Sequence, residues 1–408
     1  MTVILMLLQT NFPPDIRVEN EIDSLTEAGH EVHLICQNKG DEPEQERWQA
    51  AFIHRIPTIL GNTLLGKIMQ APIFLNPLWL WYINKIGKRF KIKIIHVHDL
   101  PLTPMAMIFK AFRRVKIIYD MHENYPAALS VWNKQGLERL LKNYWIAELI
   151  ERRAARLFDH FIAVIEENKT RFIRDHGVLP GQISIVSNLV VLSKYKPETS
   201  YDEFTFPADK HVLIYTGGLD LHRGLGLTLS MFKLLAQIRK DVYLLVVGGG
   251  RSAAGKVEER KLIDEIKTDS ILHKSVHITG WVDFKYLPWL VQQSKICLLP
   301  QESNPHTDTT IPHKLFQYMA MAKPVVAADA VPVKRIIEKT GAGVIFPSGD
   351  AKVYAAIVDQ LLSSSQAVHY GDQGRKAVIA QYNWDIAAEK LIGIYQEIFE
   401  GAFPGNKF

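Results

Sequence analysis

Short apolar runs alternating with stretches of helical period constrain the fold of this chain more than any other feature. Residues 3–8, 32–36, 94–97, 116–119, 161–164 and 183–186 read as strands. Residues 18–28 and 137–157 read as helices, the first stopped by Gly29. Strands that are apolar throughout and separated by helices predict a parallel sheet covered on both faces. The pattern restarts after a polar stretch, 192–210, that reads as a linker. Strands are expected at 212–215, 242–247, 276–279, 296–299, 325–328 and 343–346, and helices at 225–238, 286–293, 313–322 and 386–399.

A chain of 408 residues also exceeds one ordinary core, and two domains of roughly 150–200 residues are the natural division. The expected architecture is α/β, with two Rossmann-like doubly wound domains facing a cleft. The first is 1–191, the second 192–384, and 385–408 forms a last helix. With 47% hydrophobic and 22% charged residues the chain is globular. Cys36 and Cys297 lie far apart in apolar runs, which suits buried free thiols and a cytoplasmic setting. The apolar start reads as a buried strand rather than a cleaved leader. No stretch reaches the ~20 apolar residues of a membrane span.

The net charge of +5 is modest and gives no reason to expect nucleic acid. It is uneven, however. Between Gly61 and Asp120 ten Lys/Arg face two acids, among Phe74, Trp79, Trp81, Tyr82 and Phe90. Two readings stay open: a peripheral surface for anionic lipid, or a core helix whose lysines are its solvated face.

Ligands of open α/β sheets sit beyond the carboxyl ends of the strands. After 212–215 comes Thr216-Gly217-Gly218-Leu219-Asp220-Leu221-His222-Arg223-Gly224. Glycines let backbone N–H groups approach a ligand, and Arg223 stands where the helix dipole disfavours a cation. Alone, that is equally an exposed arginine in a turn. The arrangement recurs at Ile311-Pro312-His313-Lys314, where Lys314 falls in a first turn and Gln317 shares its face with His313. Two cations set against their dipoles predict a diphosphate site.

These loops, in this order, resemble those of the retaining GT-B-fold glycosyltransferases of family 4, which use nucleotide sugars. The likeness runs from Gly217–Gly224 through Val247-Gly248-Gly249-Gly250 and Gly280-Trp281-Val282 to the segment 314–328, which ends in Pro-Val-Val-Ala. Phe12-Pro13-Pro14-Asp15-Ile16-Arg17-Val18, Ile95-His96-Val97-His98-Asp99 and Tyr119-Asp120-Met121-His122-Glu123 extend it over nearly the whole chain. The resemblance implies a UDP- or GDP-sugar donor held by Gly217, Gly218, Arg223, Gly249, Gly280, Trp281, Val282, His313, Lys314 and Gln317. It implies that His98 contacts the donor sugar near the reaction centre, with Arg223 and Lys314 offsetting leaving-group charge. Asp15, Arg17, His122 and Glu123 would line the acceptor side. Arg17 is read equally as greeting an anionic acceptor or capping a helix. The last helix would cross back to the first domain, and cleft closure would exclude water.

Two departures stand out. The family's paired glutamates are replaced by Thr309, beside Asp308, and by Gln317. Gly218 stands where many members place an arginine. No Asp-x-Asp pair is present, so protein cations rather than a metal would stabilise the diphosphate, and no cofactor is expected. His96 and His98 share a strand face, but no third metal ligand is evident. The expected acceptor is a lipid-linked molecule or a saccharide in polysaccharide or glycolipid assembly. The competing readings are a non-catalytic binding subunit and a nucleotide-sugar epimerase.

Overall fold

The computed structural model describes residues 2–38, 42–57, 76–131, 143–202, 204–250 and 252–400. It divides into two compact units, Met1–Asn188 with Ala387–Phe408, and Leu189–Ile386. Among the described residues the first unit contains β1 (Val3–Asn11), β2 (Glu31–Gln37), β3 (Gln45–Trp48), β4 (Ala51–Ile56), β5 (Ile94–His98), β6 (Lys116–Met121), β7 (His160–Ala163) and β8 (Ile183–Ile185). They join in the order β3-β4-β2-β1-β5-β6-β7-β8. All neighbours are parallel except the edge pair β3–β4.

The central strands bury both faces, as continuous apolar runs require. Leu5, Leu7, Ile95, Val97 and Ile117 pack with Ile83, Ile86, Phe158 and Phe172, each such side chain stabilising the fold by about 1.5–3 kcal/mol. The edge pair is absent from the hydrophobic pattern for a physical reason. Arg55 of β4 is buried, donating to the carbonyls of Phe12 and Pro43 and pairing with Glu46 of β3 at 2.6 Å.

Between Gly61 and Asp120, where two readings stay open, the helix Pro77–Arg89 buries its apolar face in the core. Asn76 caps it by accepting from the Leu78 amide, and Trp79, Tyr82, Ile83 and Ile86 enter the core. Phe90 lies against the His33 ring. Trp81 is the aromatic of that group left exposed, while Phe74 falls outside the described residues. Part of the expected helix 137–157 does too, and the described helix is Tyr144–Leu157. The final helix, Trp384–Glu400, belongs to the first unit from Ala387 onward. Its Tyr395 hydroxyl lies 2.6 Å from His96 Nδ1.

The second unit is an all-parallel sheet of β9 (His211–Thr216), β10 (Val242–Val247), β11 (Val276–Ile278), β12 (Ile296–Leu299), β13 (Val325–Ala328) and β14 (Gly343–Phe346). Its order is β11-β10-β9-β12-β13-β14. The chain therefore reverses its winding between β9 and β12, and the loops after those strands flank a crevice at their carboxyl ends. Among the described residues no helix is long and apolar enough to cross a membrane.

Candidate active site

In the second unit, the loops after β9, β10 and β11 are stitched together through glycine. The Gly217 amide donates to Val247 O and the Gly248 amide to Gly280 O. Gly217, Gly248 and Gly280 all have positive φ. A Cβ on Gly248 would lie 2.0 Å from the Gly217 carbonyl, so only glycine fits. Gly249 sits against Trp281 Nε1 and the Glu259 carboxylate, which accepts from the Gly250 amide. Trp281 is about half exposed beside it, and Val282 follows on the same loop. Gly218 accepts a hydrogen bond from the Tyr215 hydroxyl.

Arg223 ends the turn Leu221–Arg223, and Gly224 is the N-cap of the helix Leu225–Ile238. Lys314 opens the buried helix Lys314–Ala320, one residue later than the sequence pattern suggests. That helix is fixed against β9, because the Tyr318 hydroxyl accepts from the Thr216 amide and lies 2.9 Å from its hydroxyl. The result is to aim Lys314 back over the glycine loop. Its ammonium lies 3.8 Å above the Tyr215 ring and 3.7 Å from where a Gly217 Cβ would stand. Burial, and then Arg223, hold its pKa well below that of an ordinary lysine. Arg223 Nε is buried without a hydrogen-bond partner. Among the described residues neither cation forms an ion pair. Two cations thus lie beside bare glycine backbone with no carboxylate to offset them among the described residues.

Gln317 donates to the Tyr195 hydroxyl at 2.9 Å and lies 3.2 Å from His313 Nδ1. Burial lowers the His313 pKa to about 4, against a hydrogen bond to the Leu189 backbone, so this ring is neutral near pH 7. The loop before Lys314 is occupied with itself. Thr309 donates to Pro305 O, and Asp308 accepts from the Ser303 hydroxyl and the Val331 amide. Asp308 therefore closes the start of the helix Val331–Thr340.

The first unit assembles a second polar cluster at its own switch point, between β1 and β5. Asp15 is the N-cap of the helix Ile16–Glu27, accepting from the Val18 amide. Arg17 neither caps nor faces outward, which corrects both readings of it. It is buried, donating to both Asp120 oxygens at 3.0 and 2.8 Å and to Val186 O, with Glu21 at 3.0 Å. Burial opposes its charge, but Asp120 and Glu21 more than offset that.

His98 is wholly buried and stacked on His96, not open at the strand end as expected. Burial, then His96, push its pKa well down. In front of it stands His122, with 19% of its side chain exposed and Nε2 3.1 Å from His98 Nδ1 and 3.0 Å from Asp120. Burial opposes a charge on His122, yet Asp99 and Asp120 raise its pKa to about 10. Asp99 has φ +61 and accepts from the His122 amide, a strained backbone of the kind found at working sites. Glu123 follows in the turn, half-buried.

Glu21, His96, His98 and Asp120 bring ligand atoms within 4.8 Å of one another, so the third and fourth ligands absent from the sequence reading do exist. Arg17, however, already supplies the cation between the two carboxylates. Glu21, Asp99 and Asp120 are the members that sequence reading left out. The i,i+4 spacing of Arg17 and Glu21 was the available signal.

Two family descriptions match the chain: Glycosyltransferase Family 4 over residues 16–194 and Glycosyl transferases group 1 over 210–364. An alpha-D-kanosaminyltransferase of Streptomyces kanamyceticus is 22% identical over 191 residues, 47% of this chain and 46% of that protein. The aligned stretch thus spans about half the length of that relative. Among solved structures, sucrose-phosphate synthase from Thermosynechococcus elongatus superposes with a TM-score of 0.81 at 17% identity, covering 98% of this chain and all of that one. Anabaena HepE, solved in complex with UDP, has a TM-score of 0.72 at 14% identity, covering 97% of this chain and all of that one. At such identities the structural likeness speaks for the two-domain fold.

Proposed function

We propose that this chain, which belongs to the family 4 glycosyltransferases of GT-B fold, moves a sugar from a nucleoside-diphosphate donor to an acceptor hydroxyl with retention at the anomeric carbon. The observation that carries this reading is the convergence of Arg223 and Lys314 on the glycine loops without a carboxylate partner among the described residues. HepE, of the same fold, was solved with UDP, which supports a donor of that class.

The bond from the anomeric carbon to the diphosphate oxygen breaks as the acceptor oxygen bonds to the same face. The acceptor's proton passes to the departing phosphate oxygen. Arg223 and Lys314 gain most when charge develops on that oxygen, so they favour the transition state over the ground state. No metal is needed for that charge. In the first unit His122, held by Asp99 and Asp120, is the group best placed to meet an acceptor hydroxyl. A lipid-linked or saccharide acceptor and a cytoplasmic site of action complete the proposal. The two free, buried thiols fit that compartment.

Calorimetry with UDP and GDP tests the donor site directly. Failure of both to bind at millimolar concentration removes the proposal. A binding subunit is the second reading, favoured by the commitment of Asp308 and Thr309 to their own loop. Slow hydrolysis of a UDP- or GDP-sugar without acceptor supports the enzyme, and nucleotide binding without hydrolysis or transfer supports the subunit.

A further inference from the structure

Tyr195 closes the short turn Leu192–Lys194 near the start of the second unit, its amide donating to Leu192 O. Its ring is buried and set edge-on to Phe284, 5.7 Å away, in the turn that follows Gly280-Trp281-Val282. Burial raises the pKa of its hydroxyl, against the hydrogen bond with Gln317, so the group is a neutral phenol near pH 7. The Gln317 side-chain nitrogen donates to that hydroxyl at 2.9 Å and lies 3.2 Å from His313 Nδ1.

The amide nitrogen is thus engaged on two sides, and the carbonyl oxygen is not. Among the described residues Gln317 Oε1 accepts no hydrogen bond, yet it is not one of the fully buried polar atoms left without a partner. A residue only 7% exposed therefore opens one bare acceptor to its surroundings.

The place of that oxygen follows from Lys314. A nucleoside diphosphate joins its ribose to the phosphates through a single methylene, so the ribose hydroxyls lie roughly the 5.4 Å of one helical turn from the charge that Lys314 meets. One turn on from Lys314 the helix carries two polar side chains, Gln317 and Tyr318. Tyr318 is committed to Thr216, which leaves the Gln317 oxygen to accept from a hydroxyl. A carboxylate at 317 would present an acceptor whichever way it turned. An amide does so only when its nitrogen is held back.

We infer that Tyr195 is a positioning residue of the donor site: by taking the Gln317 amide hydrogen it turns the carbonyl oxygen outward, where that oxygen accepts from a ribose hydroxyl and favours a ribonucleotide. This role rests on the nucleoside-diphosphate reading of the site, and Tyr195 acts through Gln317 rather than on the donor itself.

Calorimetry on the full chain with UDP, 2′-deoxy-UDP and 3′-deoxy-UDP is the test, with GDP and its deoxy analogues in their place if GDP binds more tightly. The parent should bind UDP about three- to tenfold more tightly than at least one deoxy analogue, as one neutral hydrogen bond allows. Tyr195→Phe keeps the ring and its packing on Phe284. It should bring that ratio close to one while leaving the affinity for the deoxy analogue as it was. Gln317→Glu added to Tyr195→Phe should restore the ratio, because a carboxylate needs no orienting partner. Gln317→Leu, which leaves Tyr195 in place, should lose the ratio as Tyr195→Phe does. A purely structural role would weaken every nucleotide equally in Tyr195→Phe, with no recovery in the double variant, and would overturn the assignment. So would an unchanged ratio in Tyr195→Phe or in Gln317→Leu, or a parent that binds UDP and both analogues alike. A parent that binds neither UDP nor GDP removes the donor reading and this role with it, whereas the other failures leave that reading standing.

Discussion

The ammonium of Lys314 lies 3.8 Å above the ring of Tyr215, and the charge that opposes it there is that of Arg223. The ring face offers weak compensation, so the site without ligand holds more positive charge than it can satisfy. Replacing Lys314 by Met removes a buried charge at similar volume. Lys314→Met should therefore melt no lower than the parent while losing affinity for UDP. A charge-assisted hydrogen bond contributes about 1.5–3 kcal/mol, or a loss of roughly 10- to 150-fold. Arg223→Ala should lose affinity in the same range, read by calorimetry.

The same depressed pKa couples nucleotide binding to protonation at pH values where Lys314 without ligand has lost its proton. Between the lowered pKa of folded Lys314 and the ordinary lysine value near 10.5, the unfolded chain holds more protons, so stability from this group rises with pH. A bound diphosphate favours the ammonium and draws a proton in. Binding heats measured in buffers of different ionisation enthalpy should reveal that uptake, and Lys314→Met should abolish it. Equal heats in all buffers would show that Lys314 is already charged without ligand.

The two cations were legible in the sequence because each contradicts a local rule: a lysine and an arginine stand where a helix start favours acids. The glycine loops were legible for the opposite reason, that only one residue type tolerates their backbone. The cluster around Arg17 was not. Glu21, Asp99 and Asp120 come together through the order of β1, β5 and β6, and beyond the i,i+4 pairing of Arg17 with Glu21 nothing local marks these carboxylates for burial. The edge strands β3 and β4 escaped because a buried Arg55 satisfied by carbonyls and Glu46 breaks the apolar run that announces a strand.

Buried charge in the first unit should bend the stability curve on its alkaline side. Burial pushes the Glu21 carboxyl up to about 8 despite Arg17, so the folded chain holds a proton that the unfolded chain releases near 4.5. Stability from Glu21 is present below pH 4.5 and falls as pH rises through about 8. His122, raised to about 10, adds stability below 6.5 that is lost as pH rises through its folded value. Urea unfolding between about pH 5 and pH 9 should show a continuous loss. Glu21→Gln, which mimics the protonated acid, should flatten the portion below pH 8 and leave the His122 portion. An unchanged curve would mean that Glu21 is ionised beside Arg17.

Two glycines two residues apart provide a matched test of how the glycine loop is held. Gly224 has φ +79, and a Cβ there would stand 2.2 Å from the Pro300 carbonyl that follows β12. The loops after β9 and β12 thus touch at a point that admits no side chain. Gly224→Ala costs about 1–2 kcal/mol for the left-handed backbone and about 1–3 kcal/mol for the forced separation. Gly226, inside the helix Leu225–Ile238, has open space around its Cβ position. Gly226→Ala should therefore stabilise by about 0.5–1 kcal/mol through helix propensity and a stiffer unfolded chain. Chemical denaturation of both variants checks the signs. Because Arg223 immediately precedes Gly224, Gly224→Ala should also weaken UDP binding, while Gly226→Ala leaves it intact. A Gly224→Ala protein as stable as the parent and binding UDP equally well would show that the two loops need not meet at that point.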